Sequence, residues 1–432
     1  GGLSIRRLLH RYGSVIGELT PCLLMSPHSV SRFLPPGSID VDLVVFDEAS
    51  QIRVAESVGA MGRARSVVVV GDSRQMPPTT FGGGPGEDDA EDERGDELPA
   101  GVAPADRESI LSEAVDSNLP RLWLSWHYRS QDESLIAFSN RYYYDGRLAS
   151  FPGPPGGRPG MGISWRRVAG RFERGAGRVN RIEAEAIVEE IRRRLREHAG
   201  TSIGVVTFNA EQRDLILDEL EASDDTAVLD ALGAAEDGLF VKNLENVQGD
   251  ERDVILFSLA FSVDARTGKL PLNFGPLNRA GGERRLNVAI TRAKRQVVLF
   301  SSFAPEDIEL ERTSAVGLAH LRDYLELAAR GADAVRTLKP VAVTEVHREA
   351  VAEALEQAGL VVRRGVGLSD FTVDLAVSAG QEGPWLAVLL DGPGWAGRRT
   401  VGDRDALPSA LLQGVMGWPA VEHVWLPSWL AE

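Results

Sequence analysis

Short runs of apolar residues alternate with amphipathic stretches in the first part of the chain. Asp42–Phe46 and Ser66–Val70 are almost entirely apolar, and each run is followed by an acidic or Gly-Asp turn. Such runs are typical of strands that are buried in a parallel sheet. The segment Arg53–Arg63 between them has a helical pattern. The sequence therefore predicts alternating strands and helices in one α/β unit.

The same alternation returns in the middle of the chain and predicts a second α/β unit. Its predicted elements are helix Asn180–His198, strand Ile203–Thr207, helix Ala210–Leu220, strand Asp253–Ser258, helix Arg285–Ala293 and strand Gln296–Ser301. An amphipathic helix over Ala315–Arg330 follows. After Lys339-Pro340 the pattern restarts with helix Val346–Ala358 and strands that include Phe371–Val377 and Trp385–Leu390. This restart indicates a separate small domain.

The net charge of −16, from 47 basic and 63 acidic residues, at first argues against a polyanionic partner, because phosphate binding depends on Lys and Arg. The excess of negative charge is unevenly distributed, however, because the segment Glu87–Glu97 has eight acidic residues and one basic residue, Arg94. The surrounding segment Gly82–Ala105 is too polar to offset the cost of ordering, so we expect a mobile insertion there. Basic residues cluster elsewhere, as in Arg284–Arg295, and a basic groove is therefore compatible with the overall charge.

Composition excludes several classes of protein. The single cysteine, Cys22, excludes an internal disulfide and a Cys-rich zinc or iron–sulfur site. The apolar runs are far shorter than the roughly 18 residues of a membrane span, so we expect no membrane association and a cytoplasmic location. The chain begins Gly1-Gly2-Leu3 without an initiator Met or a signal core. We therefore expect it to be part of a longer polypeptide.

Polar residues follow the first two predicted strands. Asp47 and Glu48 lie at the carboxyl end of a predicted parallel strand, where α/β sheets bind ligands, and one carboxylate there can hold Mg²⁺ while the next polarises water. The second strand leads into Gly71–Pro78, which has a Gly turn, a Gln75 amide that could sense a phosphate, and a rigid Pro-Pro exit. Taken alone, both segments are also typical of plain solvated turns.

These segments, with others further along the chain, resemble the motifs of superfamily 1 helicases of the Upf-like branch. The matching segments are Phe46–Gln51 (motif II, Walker B), Gly71–Pro78 (motif III), Trp126–Ser130 (motif IV), Ile203–Gln212 (the opening of the second lobe), Val247–Val254 (motif V) and Arg284–Lys294 (motif VI). They occur in the family's order over residues 41–300. The resemblance implies RecA-like parallel sheets, with a partial first lobe and a complete second lobe, in an ATP-dependent helicase that moves on single-stranded DNA or RNA.

The resemblance also implies residue roles in a nucleotide cleft between two lobes. Asp47 would hold Mg²⁺, and Glu48 would orient the attacking water. Gln75 would sense the γ-phosphate of ATP. Arg129 and Arg292 would act as arginine fingers, because a planar guanidinium forks onto phosphate oxygens. For Arg292, the alternative is an exposed helical arginine with no such role.

Further contacts with nucleotide and nucleic acid are implied in the same way. Gln248 and Gly249 would bind the nucleotide, Gly249 by allowing close approach of its backbone, and Glu251 would touch the ribose. Single-stranded nucleic acid would cross the tops of both lobes, held by its backbone and by base stacking. The candidate contacts, which are also residue types that cap helices or lie in loops, are Ser26, His28, Thr79, Thr207 and Asn209.

The chain departs from this family at the P-loop. Phosphoryl transfer in this class needs G-x-x-x-x-G-K-[ST] upstream of Walker B. No lysine occurs before Lys242, and Gly268-Lys269 is followed by Leu270, outside any such motif. We therefore expect the P-loop to lie in a missing N-terminal segment. We also expect negligible ATPase activity for this chain alone.

The C-terminal region resembles a PD-(D/E)XK nuclease of the very-short-patch-repair type in Phe371–Asp374 and Trp385–Gly392. Such a nuclease needs acidic residues on two strands to share a metal that activates water. Asp374 fits this requirement, but Leu389 occupies the position of the family's Glu, and Asp391 follows two residues later. We therefore interpret this region as a decayed nuclease fold that serves as a DNA-binding or packing module. An Asp that merely ends a strand is the alternative.

The predicted organisation has five parts: the partial first lobe (1–82), the acidic insertion (83–107), the second lobe (108–310), a helical linker (311–340) and a small restriction-endonuclease-like α/β domain (341–432). The predicted function is that of the carboxyl-terminal part of an ATP- and Mg²⁺-dependent helicase. A nucleic-acid-binding module and a metal-dependent DNA nuclease acting through the C-terminal domain are the alternatives.

Overall fold

The computed structural model describes residues 3–78, 109–175, 177–198, 200–331, 345–381 and 383–431. These residues form two units, one up to Trp123 and one from Leu124 onward. The acidic insertion predicted at 83–107 lies outside the described residues. Within the described part of the chain, no helix combines the length and the apolar character needed to cross a membrane.

The first unit is a small α/β arrangement. Its elements are α1 (Ile5–Leu19), α2 (Pro27–Phe33), β1 (Val41–Phe46), the 3₁₀ turn Ala49–Gln51, α3 (Val54–Met61), β2 (Ala64–Val69) and α4 (Ile110–Asp116). β1 and β2 pair in parallel, with Phe46 opposite Val69. Helix α4, which the predicted boundaries assign to the second lobe, belongs to this unit. Its Ile110 is buried in the core, and the Ile110 N–H donates to the Ile52 carbonyl at 2.8 Å.

The two strands of this unit are less buried than their apolar pattern predicts. Val44 and Phe46 on β1 face a buried cluster that includes Ala49, Ala60 and Ile110. The alternate residues Leu43 and Val45 point away from it and are 49% and 55% exposed. Successive side chains of a strand point to opposite faces, so one cluster covers only every second residue. The expectation of fully buried strands is therefore wrong for these residues.

The second unit contains a larger sheet. Its elements up to residue 331 are β3 (Trp126–His127), α5 (Ser134–Tyr143), β4 (Ala149–Ser150), β5 (Gly162–Arg167), α6 (Arg181–Glu197), β6 (Ile203–Thr207), α7 (Ala210–Glu221), α8 (Thr226–Gly233), β7 (Phe240–Asn243), β8 (Arg252–Ser262), α9 (Gly282–Ile290), β9 (Ala293–Ser302) and α10 (Val316–Arg330). Strands β5-β9-β8-β6-β7 form a five-stranded sheet in that order, and every pair is parallel. The predicted α/β fold with a parallel sheet is confirmed.

Helix α6 packs on this sheet through one apolar face. Ala184, Ile187 and Ile191 recur at helical spacing and lie in one buried cluster with Val205 of β6 and Leu256 of β8. Strand β6 has the predicted bounds, whereas β8 continues from the predicted end at Ser258 to Ser262.

A buried carboxylate connects α6 to the sheet. Glu183 is fully buried, and its N–H donates to the side chain of the N-cap residue Asn180 at 3.2 Å. Its Oε1 accepts from Ser258 Oγ at 2.8 Å and from the Ala260 N–H at 2.7 Å, and its Oε2 accepts from Ser302 Oγ at 3.2 Å. One side chain therefore joins α6 to both β8 and β9. Burial raises the pKa of Glu183 to about 7, although these hydrogen bonds oppose the rise.

The C-terminal region of the second unit has its own four-stranded sheet. Its elements are α11 (Val346–Gln357), β10 (Val361–Val366), β11 (Val373–Ser378), β12 (Leu386–Leu390), α12 (Pro393–Ala396), the π-helical turn Gly402–Ala406, α13 (Leu407–Gly414), β13 (Val421–Val424) and α14 (Leu426–Ala431). Strands β10, β11 and β12 pair antiparallel, and β13 pairs in parallel with β12. We call residues 345–431 the tail. Its α/β fold agrees with the prediction.

Replacing Glu183 by Gln is expected to lower the free energy of unfolding by about 1–3 kcal/mol, because an amide NH₂ replaces an oxygen that accepts buried hydrogen bonds. The pKa of Glu183 rises on folding from 4.5 to about 7. The folded state therefore binds the proton more tightly, and the unaltered chain should lose stability as pH rises from 4.5 to 7. Denaturant unfolding across this range should show that Glu183→Gln lacks this loss.

The matched control is Glu189→Gln, because Glu189 lies on the same helix and is 64% exposed. It should leave both the stability and its pH dependence unchanged. Parallel pH profiles for Glu183→Gln and the unaltered chain would contradict the assignment.

Candidate functional site

Two exposed carboxylates lie directly after β1. The Glu48 N–H donates to Asp47 Oδ1 at 3.0 Å. Glu48 itself has φ 51° and ψ 38°, the left-handed region that non-glycine residues seldom occupy. The backbone at this point is also bonded to the end of β2, since the Ala49 N–H donates to the Val70 carbonyl at 2.9 Å. The structure thus places both predicted carboxylates at the carboxyl edge of the sheet.

Gln75 lies in the loop that leaves β2 at the same edge. Its Nε2 donates to Asp72 Oδ2 at 3.1 Å, and the Arg74 N–H donates to Asp72 Oδ1 at 2.8 Å. Asp72, to which the sequence argument gave no role, therefore orders this turn. Gly71 permits the two loops to touch, because a Cβ atom there would lie 3.0 Å from the Ser50 nitrogen. A glycine directly after a strand is the signal that could have indicated such a close approach.

In the second unit, Arg129 and Lys294 meet at Glu251. Arg129 Nε lies 2.7 Å from Glu251 Oε2, and Lys294 Nζ lies 3.0 Å from Glu251 Oε1. Partial burial alone would raise the pKa of Glu251, but the hydrogen bond from Lys294 and the charge of Arg129 hold it below its ordinary value. Glu251 thus bridges a predicted arginine finger and Lys294, which lies in motif VI but received no role from the sequence.

A partly buried histidine lies beside this ion pair. His127 Nε2 accepts the Ser130 N–H at 3.3 Å and lies 2.8 Å from Ser130 Oγ. Burial, followed by the charges of Arg129 and Arg292, lowers the pKa of His127 to about 4. The imidazole is therefore neutral near pH 7, and no additional positive charge is placed among the arginines. His127 lies in the segment Trp126–Ser130, and no role was predicted for it.

The guanidinium of Arg292 is not exposed to solvent, as an arginine finger would need to be in order to reach a phosphate. The residue is 4% exposed, Nε donates to the Val288 carbonyl at 2.8 Å, and Nη2 donates to Thr291 Oγ1 at 3.2 Å. Its guanidinium is thus held against the end of α9. The alternative reading of Arg292 as an exposed helical arginine is wrong.

The other predicted nucleotide contacts lie on the loop before β8. Gly249 has φ +90° and is exposed, and no atom lies within 4 Å of the position that a Cβ atom would occupy. Its backbone is therefore open to close approach, and the positive φ favours glycine. Gln248 is partly buried at the preceding position. Ligand contacts at both residues stay predictions.

Several candidate nucleic-acid contacts have local structural partners. Ser26 caps α2 by accepting the Ser29 N–H at 3.2 Å. Thr207 is fully buried and donates to the Asn209 carbonyl at 2.8 Å, and Asn209 Oδ1 caps α7 by accepting the Gln212 N–H at 3.0 Å. His28 is exposed on α2, and Thr79 lies outside the described residues. Contact of these five residues with nucleic acid stays a prediction.

The nuclease-like residues of the tail are engaged with backbone and with charged neighbours. Asp374 Oδ2 accepts the Leu390 N–H at 2.9 Å, and Asp391 Oδ1 accepts the Leu426 N–H at 2.8 Å. Burial raises the pKa of Asp374 to about 6, while Arg348 and Arg398 oppose the rise. Among the described residues, no group of three or more His, Cys, Asp or Glu side chains is arranged to hold a metal ion.

The structure therefore assembles the predicted residues in separate groups. Asp47, Glu48 and Gln75 share one edge of the first unit, and Arg129 contacts Glu251 in the second. The first group contains carboxylates and the second contains cations, the kinds of side chain from which the predicted phosphate-transfer site would be built. Convergence of the two groups on one nucleotide stays a prediction.

Replacing Arg129 by Gln is expected to raise the pKa of His127 above 4, because one of the two positive charges that oppose its protonation is removed. The pKa should stay below 6.5, since burial is the larger cause. Titration of the ¹³Cε1 resonance of His127 measures this change. The control is Arg213→Gln on α7, where Arg213 pairs with Asp214. An unchanged pKa of His127 in Arg129→Gln would contradict the conclusion that the charge of Arg129 lowers this pKa.

Comparisons with known proteins agree with the sequence motifs. Residues 107–303 match a family model described as an AAA domain. The chain is 32% identical over 326 residues to an uncharacterised ATP-dependent helicase of Mycoplasma genitalium, and 31% identical over 323 residues to its homologue in Mycoplasma pneumoniae. These alignments cover 73% and 72% of this chain but only 28% of each relative.

Solved structures match more weakly. The C-terminal domain of a possible DNA helicase from Lactobacillus plantarum is 12% identical, with 40% of this chain and 86% of that chain covered and a TM-score of 0.24. The helicase domain of Pyrococcus furiosus Hef is 13% identical, with 67% and 77% covered and a TM-score of 0.20. Neither similarity supports a structural argument. Over part of its length, the chain is therefore similar to an AAA domain and to proteins named ATP-dependent helicases.

Proposed function

We propose that this chain is part of an ATP-dependent helicase motor that moves on single-stranded nucleic acid. The observation that carries the proposal is the exposed Asp47-Glu48 pair at the carboxyl end of β1, with Gln75 at the same edge. The AAA domain match and the relatives named ATP-dependent helicases support it. Because the chain spans 28% of those relatives, the activity of the whole protein is part of the proposal.

Asp47 fits a Mg²⁺ site, because its carboxylate is exposed and carboxylate oxygen is a preferred ligand of this ion. A Mg²⁺ ion held there would supply positive charge that offsets the negative charge of the phosphate oxygens. Glu48 orients the attacking water and accepts its proton. Gln75 contacts the γ-phosphate through its side-chain amide, which the hydrogen bond to Asp72 positions.

Arg129 is the better placed of the two proposed arginine fingers. It is 39% exposed, and its partner Glu251 already holds it in an ion pair. Phosphate oxygens compete for the same planar guanidinium, so Arg129 exchanges a carboxylate for a phosphate when nucleotide binds. Lys294 stays with Glu251 and keeps that carboxylate compensated. Arg292 acts only after its guanidinium leaves the end of α9.

The P-loop is supplied from outside these 432 residues. The sequence contains no G-x-x-x-x-G-K-[ST] segment, and none of its lysines precedes Lys242. Backbone amides and a lysine are needed to hold the β- and γ-phosphates. We propose that the chain binds nucleotide productively only with such a segment and hydrolyses no ATP without it.

The ATPase test uses the chain alone and a longer product of the same gene that carries a P-loop. The chain alone should give no ATP turnover above the blank, whereas the longer product should give turnover that single-stranded DNA or RNA stimulates. Glu48→Gln in the longer product should lower kcat by about 10²–10⁴-fold, since it removes the group that accepts the proton.

Glu56→Gln is the matched control, because Glu56 is an exposed carboxylate on α3 of the same unit, and it should leave kcat unchanged. ATP turnover by the chain alone, or full activity in Glu48→Gln, would refute the corresponding part of the proposal. Whichever of single-stranded DNA and RNA stimulates ATP turnover more strongly is the nucleic acid on which the proposed motor moves.

We propose further that the tail does not cleave DNA. Leu389 lies where the resemblance to a nuclease would place an acidic residue. Asp374 lies near the positive charges of Arg348 and Arg398. With Mg²⁺ or Mn²⁺, the chain should leave supercoiled plasmid intact on a gel, as should Asp374→Ala. Nicking by the unaltered chain that Asp374→Ala abolishes would instead favour the nuclease alternative.

A further inference from the structure

The tail shares a buried core with the segment that contains the motif IV residues. Trp126 stacks on Phe151, with ring centroids 5.0 Å apart, and both rings contact Phe371 of the tail, at 5.9 Å and 4.7 Å. Phe151 and Phe371 are 2% and 1% exposed. The tail residue Trp418 is buried in the same cluster, and its Nε1 donates to the Pro152 carbonyl at 2.7 Å. Aromatic contacts of this kind contribute beyond the area that they bury.

A charged side chain of the tail lies over this aromatic cluster. The guanidinium of Arg398 is 4.7 Å from the centroid of Phe371 and 5.9 Å from that of Trp126. The acidic groups that compensate its charge, Asp374, Asp403 and Asp405, all belong to the tail. Asp374, predicted as a remnant metal ligand, thus helps to hold a cation against Trp126. A partly desolvated cation is attracted by the faces of aromatic rings.

A second anchor lies beyond the motif IV turn. Glu133 is 7% exposed and accepts the Leu368 N–H with both carboxylate oxygens, at 3.0 Å and 3.2 Å. It also accepts from Ser150 Oγ at 2.7 Å. The Ser150 N–H donates to Ser369 Oγ at 2.8 Å, and that hydroxyl lies 3.1 Å from the Ser150 carbonyl. A buried carboxylate of the second unit thus depends on a backbone N–H of the tail.

Trp126 and Glu133 enclose the turn that carries His127, Arg129 and Ser130. We propose that the tail is a brace for this turn, and that Arg398 is a positioning residue that fixes Trp126 and thereby holds Arg129 against Glu251. The brace follows from contacts within the second unit. Only the phosphate-binding role of Arg129 rests on the proposed function.

Hydrogen exchange of the full chain, followed by mass spectrometry, tests the brace. In Arg398→Gln, amides of residues 127–136 should exchange at least about tenfold faster, because a smaller opening free energy then exposes them. Arg398→Lys should keep most of the protection, since a lysine also places a cation over the rings. The matched control is Arg363→Gln, because Arg363 lies 4.9 Å from the centroid of Trp385, within the tail itself. It should leave residues 127–136 unchanged.

Titration of His127 gives a second readout. In Arg398→Gln the pKa should move from about 4 toward 6.5, because a loosened turn admits water to the imidazole. Destabilisation confined to the tail would not produce this shift, because His127 lies outside the tail. Ser369→Ala serves as the gentler variant if Arg398→Gln fails to fold. It removes the hydroxyl that bonds Ser150 and should show both changes, each to a smaller extent.

The brace is wrong if, in a folded Arg398→Gln protein, only amides of the tail exchange faster. In that outcome residues 127–136 keep their protection from exchange, and His127 keeps its pKa. It is equally wrong if Arg363→Gln speeds the exchange of residues 127–136 as much as Arg398→Gln does. Neither measurement involves ATP. Failure of the brace therefore leaves the motor proposal standing, and failure of the ATPase test leaves the brace standing.

Discussion

Parallel strand pairing is the constraint on which every group of the candidate site depends. In the first unit, Phe46 lies opposite Val69, so the two strands end together and the Asp47-Glu48 pair emerges beside the loop of Gln75. In the second unit, Arg252 lies opposite Ala293, and the residues next to this pair, Glu251 and Lys294, meet as an ion pair. The register of two strands thus brings together residues that are distant in sequence.

Charge compensation explains how the second unit holds cations near one another. Glu251 accepts both Arg129 and Lys294, and the neighbouring His127 stays neutral because burial and nearby arginines oppose its protonation. Guanidinium groups keep their charge at every physiological pH, so the protein must pair them or expose them. Here a partly exposed ion pair leaves Arg129 accessible, while Arg292 is held against backbone.

In the tail, Asp374 has structural partners, and its nuclease-like role stays a prediction. Asp374 accepts a backbone N–H and lies near Arg398, whose guanidinium packs on the aromatic cluster beneath motif IV. A buried carboxylate next to arginine is costly to leave uncompensated, which keeps the two residues interdependent. Glu133 depends on the tail in the same sense, because its carboxylate accepts the Leu368 N–H.

The amino-acid sequence by itself determined the class of fold and the approximate position of many strands and helices, although β5 and β7 of the parallel sheet were not among the predicted elements. Apolar runs and helical periodicity indicated the parallel sheet. They could do so because the pattern of apolar residues within a short segment shows whether that segment forms a buried strand or an amphipathic helix. The strand pattern likewise placed Asp47 and Glu48 at the end of β1, whereas Arg129 and Glu251 were named only because of the resemblance to superfamily 1 helicases.

Only the tertiary structure decided which of these groups touch. The pairing of Arg129 with Glu251, the burial of Arg292 and the packing of Trp126 on the tail residue Phe371 each join residues more than a hundred positions apart or depend on a side chain's direction. A linear pattern records which residues are polar or apolar. It does not record which distant surfaces neutralise or cover them, because that depends on how the elements pack in three dimensions.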